Sequence, residues 1–170
     1  RITEMNKDGL IAGPGAEHRS MYGHGFSMLF LAQCSGVELH KDKDKQVREV
    51  LARAVKVTER SQSTVGGGKW PKPCGGWYYT PESNNDEGSV TVTQLQALRA
   101  CRNVGVLVDK KVIDKAVEYL HMCQQPDGGI CYSASSRGQS RPAISAAAIA
   151  CFYAARSEER RVGKECSELC

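Results

Sequence analysis

Three short stretches interrupt the chain in the same way. "NKDGLIAG" (Asn6–Gly13), "CGGWYYTPES" (Cys74–Ser83) and "QQPDGGICYS" (Gln124–Ser133) each stop at glycine and continue with an aliphatic or aromatic residue. Glycine at the C-terminal end of a helix accepts the left-handed backbone that other residues resist. Pro126-Asp127-Gly128-Gly129 is a strong helix stop on the same grounds. The residue that follows (Leu10, Trp77, Ile130) is expected to fold back and wedge between helices, where a large apolar body buries much area. One such turn is an ordinary loop. Three in phase make a repeat, and a repeat constrains the fold before composition does.

Two helix classes alternate around these turns. "HGFSMLFLAQCSG" (His24–Gly36), "TQLQALRACRNVG" (Thr93–Gly105) and "SAAAIACFYAARS" (Ser145–Ser157) carry small and apolar residues at helical spacing. The second sets Val92, Leu95, Leu98 and Cys101 on one side. The third is small and apolar all round, which predicts burial on most sides. "VREVLARAVKVTERSQ" (Val47–Gln62) and "VIDKAVEYLHMCQ" (Val112–Gln124) align at an offset of 62 residues and are amphipathic. In the latter, Val112, Ala116, Leu120 and Cys123 form a stripe, with Asp114, Lys115 and Glu118 facing away and Asp109 as the N-cap. The predicted unit is an amphipathic outer helix, a Gly-Gly turn, an apolar segment and a buried inner helix.

With 170 residues, 41% of them hydrophobic, the chain has material for one core. The net charge of +4 comes from scattered Lys and Arg with no aromatic-interleaved basic stripe, which argues against nucleic acid. The longest uncharged apolar run, Phe26–Ala32, is too short to span a bilayer. The eight cysteines include no C-x-x-C pair. Most sit on apolar helical patterns, where cysteine behaves as a small hydrophobe, so no metal site and no cofactor are expected. Free thiols favour a reducing, cytoplasmic compartment. The chain starts at Arg1 rather than Met, so an N-terminal targeting segment could have been lost.

The turn "QQPDGGICYS" and its counterparts resemble the repeat of squalene and other triterpene cyclases and of protein prenyltransferase β subunits. "YGHGFSMLFLAQ", "SVTVTQLQALRACRNVGV" and "VIDKAVEYLHMCQQPDGG" resemble in particular bacterial squalene-cyclase-like repeat proteins. The resemblance covers residues 1–156 and implies an all-α fold, an α/α toroid with an inner and an outer helix ring. It implies a cavity for an apolar or isoprenoid small molecule. The alternative function is a non-catalytic binding or scaffold module that uses the repeat surface. Fold alone decides neither.

The family's chemistry does not transfer whole. Asp42-Lys43-Asp44 is the nearest approach to the cyclase D-x-D-D acid and lacks its last aspartate, and no Asp-x-Cys zinc pair occurs. "PGAEHRSMY" (Pro14–Tyr22) resembles the prenyltransferase segment with a diphosphate-contacting histidine, whose place is taken by Arg19. Arginine suits phosphate. Polar groups head the inner helices: Tyr22 and His24, then Ser89, Thr91 and Thr93, then Ser145. His24 and Asp86 are the candidate catalytic residues. Tyr22, Arg19, Thr91, Trp77 and Tyr132 are the candidate ligand-binding ones. For His24 the structural alternative is a satisfied histidine at a helix start. For Asp86, Ser89 and Thr91 it is capping, and for Trp77 and Tyr132 it is packing. Tyr22, His24, Thr91 and Asp86 are expected to converge on one concave surface, with His24 partly exposed and Met28 and Leu95 deeper in.

The segment 157–170, within "RSEERRVGKECSELC", has no apolar stripe and reads as a non-native or disordered tail. About three inner and two outer helices make an incomplete arc. Its expected partners are the missing repeats of the same chain.

Overall fold

The computed structural model describes residues 8–13, 15, 17–37, 41–64 and 75–153. The tail at 157–170 and Cys74 lie outside them. A short 3-10 turn, Glu17–Arg19, leads into α1 (Ser20–Cys34). It is followed by α2 (Lys41–Arg60), α3 (Gly88–Asn103) and α4 (Lys110–Met122). Residues 142–153 are helical and are called α5. The described residues contain no strand; isolated bridges include Trp77–Glu87, Gln124–Ile130 and Cys131–Ser140. The fold is all-α.

Both helix classes form, starting two to six residues earlier than the patterns suggest. α1 and α3 pack most extensively. Gly25 makes this possible, because a Cβ there would stand 2.7–2.8 Å from Gln94 and Thr93. α5 joins the same layer on the far side of α3, with Cys151 Sγ 3.8 Å from the Val92 carbonyl and Ile144 against Gly88. The second layer is amphipathic. α2 covers α1 and α3 with Val47, Leu51, Ala54 and Val55, and α4 covers α3 with Val112, Ala116 and Leu120, all buried. Asp114, Lys115 and Glu118 are exposed, as their spacing requires.

The repeat is visible in the hydrogen bonds. Gly9, Gly75 and Gly128 take positive φ values of 94°, 74° and 83°. The backbone N–H of Ile11 donates to His24 Nδ1 at 3.0 Å, that of Trp77 to Thr91 Oγ1 at 3.0 Å, and that of Ile130 to Ser145 Oγ at 2.8 Å. In each repeat one side chain in the first turns of an inner helix satisfies the wedge residue that the glycine turn delivers. The first wedge is therefore Ile11, one residue beyond the expected Leu10. The next outer helix closes on the glycine. A Cβ on Gly9 would meet the Arg53 carbonyl at 2.8 Å, and one on Gly75 the Lys115 carbonyl at 2.4 Å. Arg53 and Lys115 are themselves 62 residues apart, the offset read from the sequence.

Gly75 and Gly128 make a controlled comparison. Both need a left-handed backbone, but a Cβ on Gly128 meets nothing within 4 Å. Gly128→Ala should cost only the left-handed penalty, about 1–2 kcal/mol. Gly75→Ala adds a backbone clash and should cost about 3 kcal/mol or more. Urea denaturation of the two variants checks the order. Equal losses would mean that α4 does not close on the turn.

Candidate functional site

The inner-helix positions divide into two sets by depth. His24, Met28, Thr91, Leu95 and Trp77 are fully buried between the layers, and Asp86 is 2% exposed. The expected convergence of Tyr22, His24, Thr91 and Asp86 on one open surface is therefore corrected, since only Tyr22 reaches it. The reason is helical phase. Positions 24 and 28 of α1 and 91 and 95 of α3 turn toward the outer helices, so Met28 and Leu95 line the core rather than a pocket.

Each buried residue has a full set of structural partners or nearly so. His24 Nδ1 accepts from Ile11, so the proton sits on Nε2, which lies 3.2 Å from the Ala54 carbonyl and 3.2 Å from Thr58 Oγ1. Burial pushes its pKa down to about 4, with Arg60 adding to the fall. Thr91 Oγ1 donates to the Glu87 carbonyl at 2.8 Å while it serves Trp77. Trp77 donates from Nε1 to the Thr58 carbonyl at 2.8 Å. It is a packing wedge.

Asp86 is not the cap of α3. Its Oδ2 accepts from Tyr119 Oη at 3.0 Å, Ser133 Oγ at 2.8 Å and the Ala134 amide at 2.7 Å. These bonds pin the third turn to the start of α3 and to α4. Its Oδ1 is buried without a hydrogen-bond partner among the described residues. The pair Asp42 and Asp44 opens α2, where Asp44 takes Ser35 Oγ, the Gly36 amide and the Arg48 guanidinium.

The second set gathers at the surface where α1 and α3 begin. Tyr22 Oη donates to Glu87 Oε2 at 3.1 Å and lies 2.5 Å from Ser89 Oγ. Ser89 donates to the same carboxylate at 2.7 Å. The Tyr22 and Tyr79 ring centroids are 6.0 Å apart, and those of Tyr78 and Tyr79 are 4.4 Å apart. Tyr79 and Tyr132 share a hydroxyl–hydroxyl hydrogen bond. The Arg19 guanidinium stands 5.0 Å over the Tyr79 ring. Burial, reinforced by the Glu87 charge, pushes Tyr22 up to about 12, and burial also raises Tyr132.

The repeat builds this cluster. The Tyr79 carbonyl accepts from the first turn of α1 and the Tyr132 carbonyl from the first residue of α3. The two tyrosines hold equivalent places, two residues beyond Trp77 and Ile130. Glu87 was not legible beforehand. It caps α3 by accepting from the Val90 amide at 2.7 Å and is fully buried, although glutamate is a poor N-cap by propensity. Asp86, Ser89 and Thr91, the expected caps, surround it instead.

Below Tyr22, the α1 positions Phe26 and Phe30 follow at helical spacing and are 57% and 63% exposed. Ser89, Gln96 and Ala100 of α3 and Ala147 of α5 are half-buried, and Ala146 and Ala150 are exposed. Beside the cluster lies an open cleft of about 530 Å³, lined by Leu10, Ala12, Glu17, Ser20, Pro81 and Glu82 among others. The described cysteines are free thiols. Burial pushes Cys101 up to about 12 and Cys151 up to about 11 and raises Cys123 as well, which suits packing rather than reactivity. Among the described residues no three of His, Cys, Asp and Glu come together as metal ligands, and no helix is long and apolar enough to cross a membrane. Comparison with family models, curated proteins and solved structures finds no match.

Proposed function

We propose that this chain is an arc of a squalene-cyclase- or prenyltransferase-like α/α toroid that binds an apolar, isoprenoid-class molecule. The ligand lies along the open face of the inner helices, with its polar end at the tyrosine cluster. The observation that carries this reading is the α1 stripe. Tyr22 tops it with a hydroxyl, and Phe26 and Phe30 below it stay exposed although every other large apolar side chain of that helix is buried or half-buried. Apart from Gln96, the open-face positions on α3 and α5 are small (Ser89, Ala100, Ala146, Ala147, Ala150), which leaves room for a flat or extended body. The role is binding. His24, Thr91 and Trp77 are consumed by the repeat's own hydrogen bonds, and Asp86 lies between the layers.

Farnesol titrated into the full chain by calorimetry tests this. A saturable 1:1 response is expected, weakened about tenfold or more in a Phe26→Ser, Phe30→Ser double variant, equivalent to about 1.4 kcal/mol. Farnesol binding that ignores both changes, or none at all, overturns it. A scaffold role is the second reading. Ile149 and Tyr153 of α5 favour it, since they are 68% and 78% exposed on the side away from α3.

A further inference from the structure

The tyrosine cluster has a chemical bias beyond its being polar. Glu87 is a fully buried carboxylate, and the Tyr22 and Ser89 hydroxyls spend their two protons on it and on each other. What these groups turn outward is lone pairs. The Tyr79–Tyr132 hydroxyl pair consumes another proton internally. Around them stand the rings of Tyr22, Tyr78 and Tyr79, with Tyr132 joined to Tyr79 through its hydroxyl, and the quadrupoles of such rings attract positive charge. One cation already uses this surface, because the Arg19 guanidinium sits over Tyr79. The cleft that begins at Ser20 and Pro81 presents Glu17 and Glu82 and no basic residue among its described lining. Backbone amides of Glu17 and Gly15 hold the Glu17 carboxyl below its ordinary range, so it stays charged.

We propose that the Tyr22–Tyr79–Tyr132 cluster, backed by Glu87, is a binding site for an organic ammonium group, with Arg19 as its built-in competitor. This deepens the ligand-binding reading and rests on it, by making the polar end of the ligand cationic rather than a diphosphate. A diphosphate would need donors. The Tyr22 and Ser89 hydroxyls point theirs inward, the Tyr79–Tyr132 pair spends one of its two on itself, and a buried carboxylate lies behind them. Arg19 then acts in the opposite sense from a phosphate-binding arginine. It guards the ring face in the free protein and swings away when a ligand cation takes its place.

The test uses choline and its neutral isostere 3,3-dimethylbutan-1-ol on the full chain, read by the ring resonances of Tyr22, Tyr79 and Tyr132. Choline is expected to shift these resonances saturably, with the alcohol weaker by about tenfold. Arg19→Gln should tighten choline binding about threefold by removing the competitor. Tyr132→Leu should weaken it about tenfold, and Tyr132→Phe, which keeps the ring, should retain most of it. Equal responses to choline and the alcohol overturn the proposal. So does pyrophosphate shifting the same rings in a way that Arg19→Gln abolishes. Choline has no apolar body, so its failure is separable from that of farnesol. Farnesol binding without choline binding sinks the ammonium site alone, and choline binding without farnesol binding sinks the apolar-ligand reading alone.

Discussion

Replacing Trp77 with alanine is expected to remove about 4 kcal/mol of stability, within the usual range for a fully buried aromatic. Domains of this size commonly have about 5–15 kcal/mol in all, so the variant should sit near the edge of folding. The side chain is fully buried and reaches across to α2, where its Nε1–H satisfies the Thr58 carbonyl. Its removal leaves both a cavity and an unpaired carbonyl. Ile130, 2% exposed, is the equivalent wedge of the next repeat. Ile130→Ala should cost less, about 2–3 kcal/mol, because it is smaller and has no polar partner to strand. Urea melts followed by far-UV circular dichroism measure both. A Trp77→Ala loss under about 1 kcal/mol would show that the turn is not the keystone of its repeat.

The architecture was legible because it is written in offsets and punctuation, which one chain displays without relatives. The 62-residue offset between the outer helices reappears as Arg53 and Lys115 closing on Gly9 and Gly75. The α4 stripe and the Asp109 cap also fall where expected, with Asp109 Oδ1 accepting from the Lys111 amide at 2.9 Å. The outer helices have one apolar face, and that fixes their rotation.

The site was legible only in part, for the complementary reason. α1 is apolar nearly all the way round, from Met21 to Leu31, so its sequence carries no phase. Its rotation is set by contacts that no local pattern records, among them the close approach at Gly25 and the His24 bonds to α2. The sequence alone therefore allows His24 and Met28 on the open face, which Tyr22, Phe26 and Phe30 occupy. Glu87 was missed because its role depends on burial and on Tyr22, 65 residues away, while propensity pointed to its Asp, Ser and Thr neighbours. From the sequence Tyr132 is a ligand candidate or a packing residue, and nothing local pairs it with Tyr79. Only the repeat brings their hydroxyls together.

His24 supplies the largest expected pH effect. Its pKa falls from 6.5 to about 4 on folding because burial opposes the charged imidazolium. Protonating Nδ1 would also turn the acceptor of the Ile11 amide into a donor. Between these two values the unfolded chain holds a proton that the native state refuses, so stability rises with pH across that window. The contribution is complete above about 6.5. It is lost as pH falls toward 4, and the total is about 3 kcal/mol. Asp44 and Asp127 have carboxyls held below their ordinary values, so their losses come at lower pH and do not mask this slope. The repeat suggests the decisive variant. Thr91 and Ser145 do with a hydroxyl what His24 does with Nδ1, so His24→Thr can keep an acceptor for Ile11. It should cost about 1–2 kcal/mol at pH 7 for the lost ring volume. The stability difference between wild type and variant should then shrink and reverse by pH 4, because threonine does not titrate. Urea midpoints at half-unit steps from pH 7.5 to 4 measure it. A constant difference would show that His24 titrates as an exposed histidine does, and that the buried, repeat-equivalent role assigned to it is wrong.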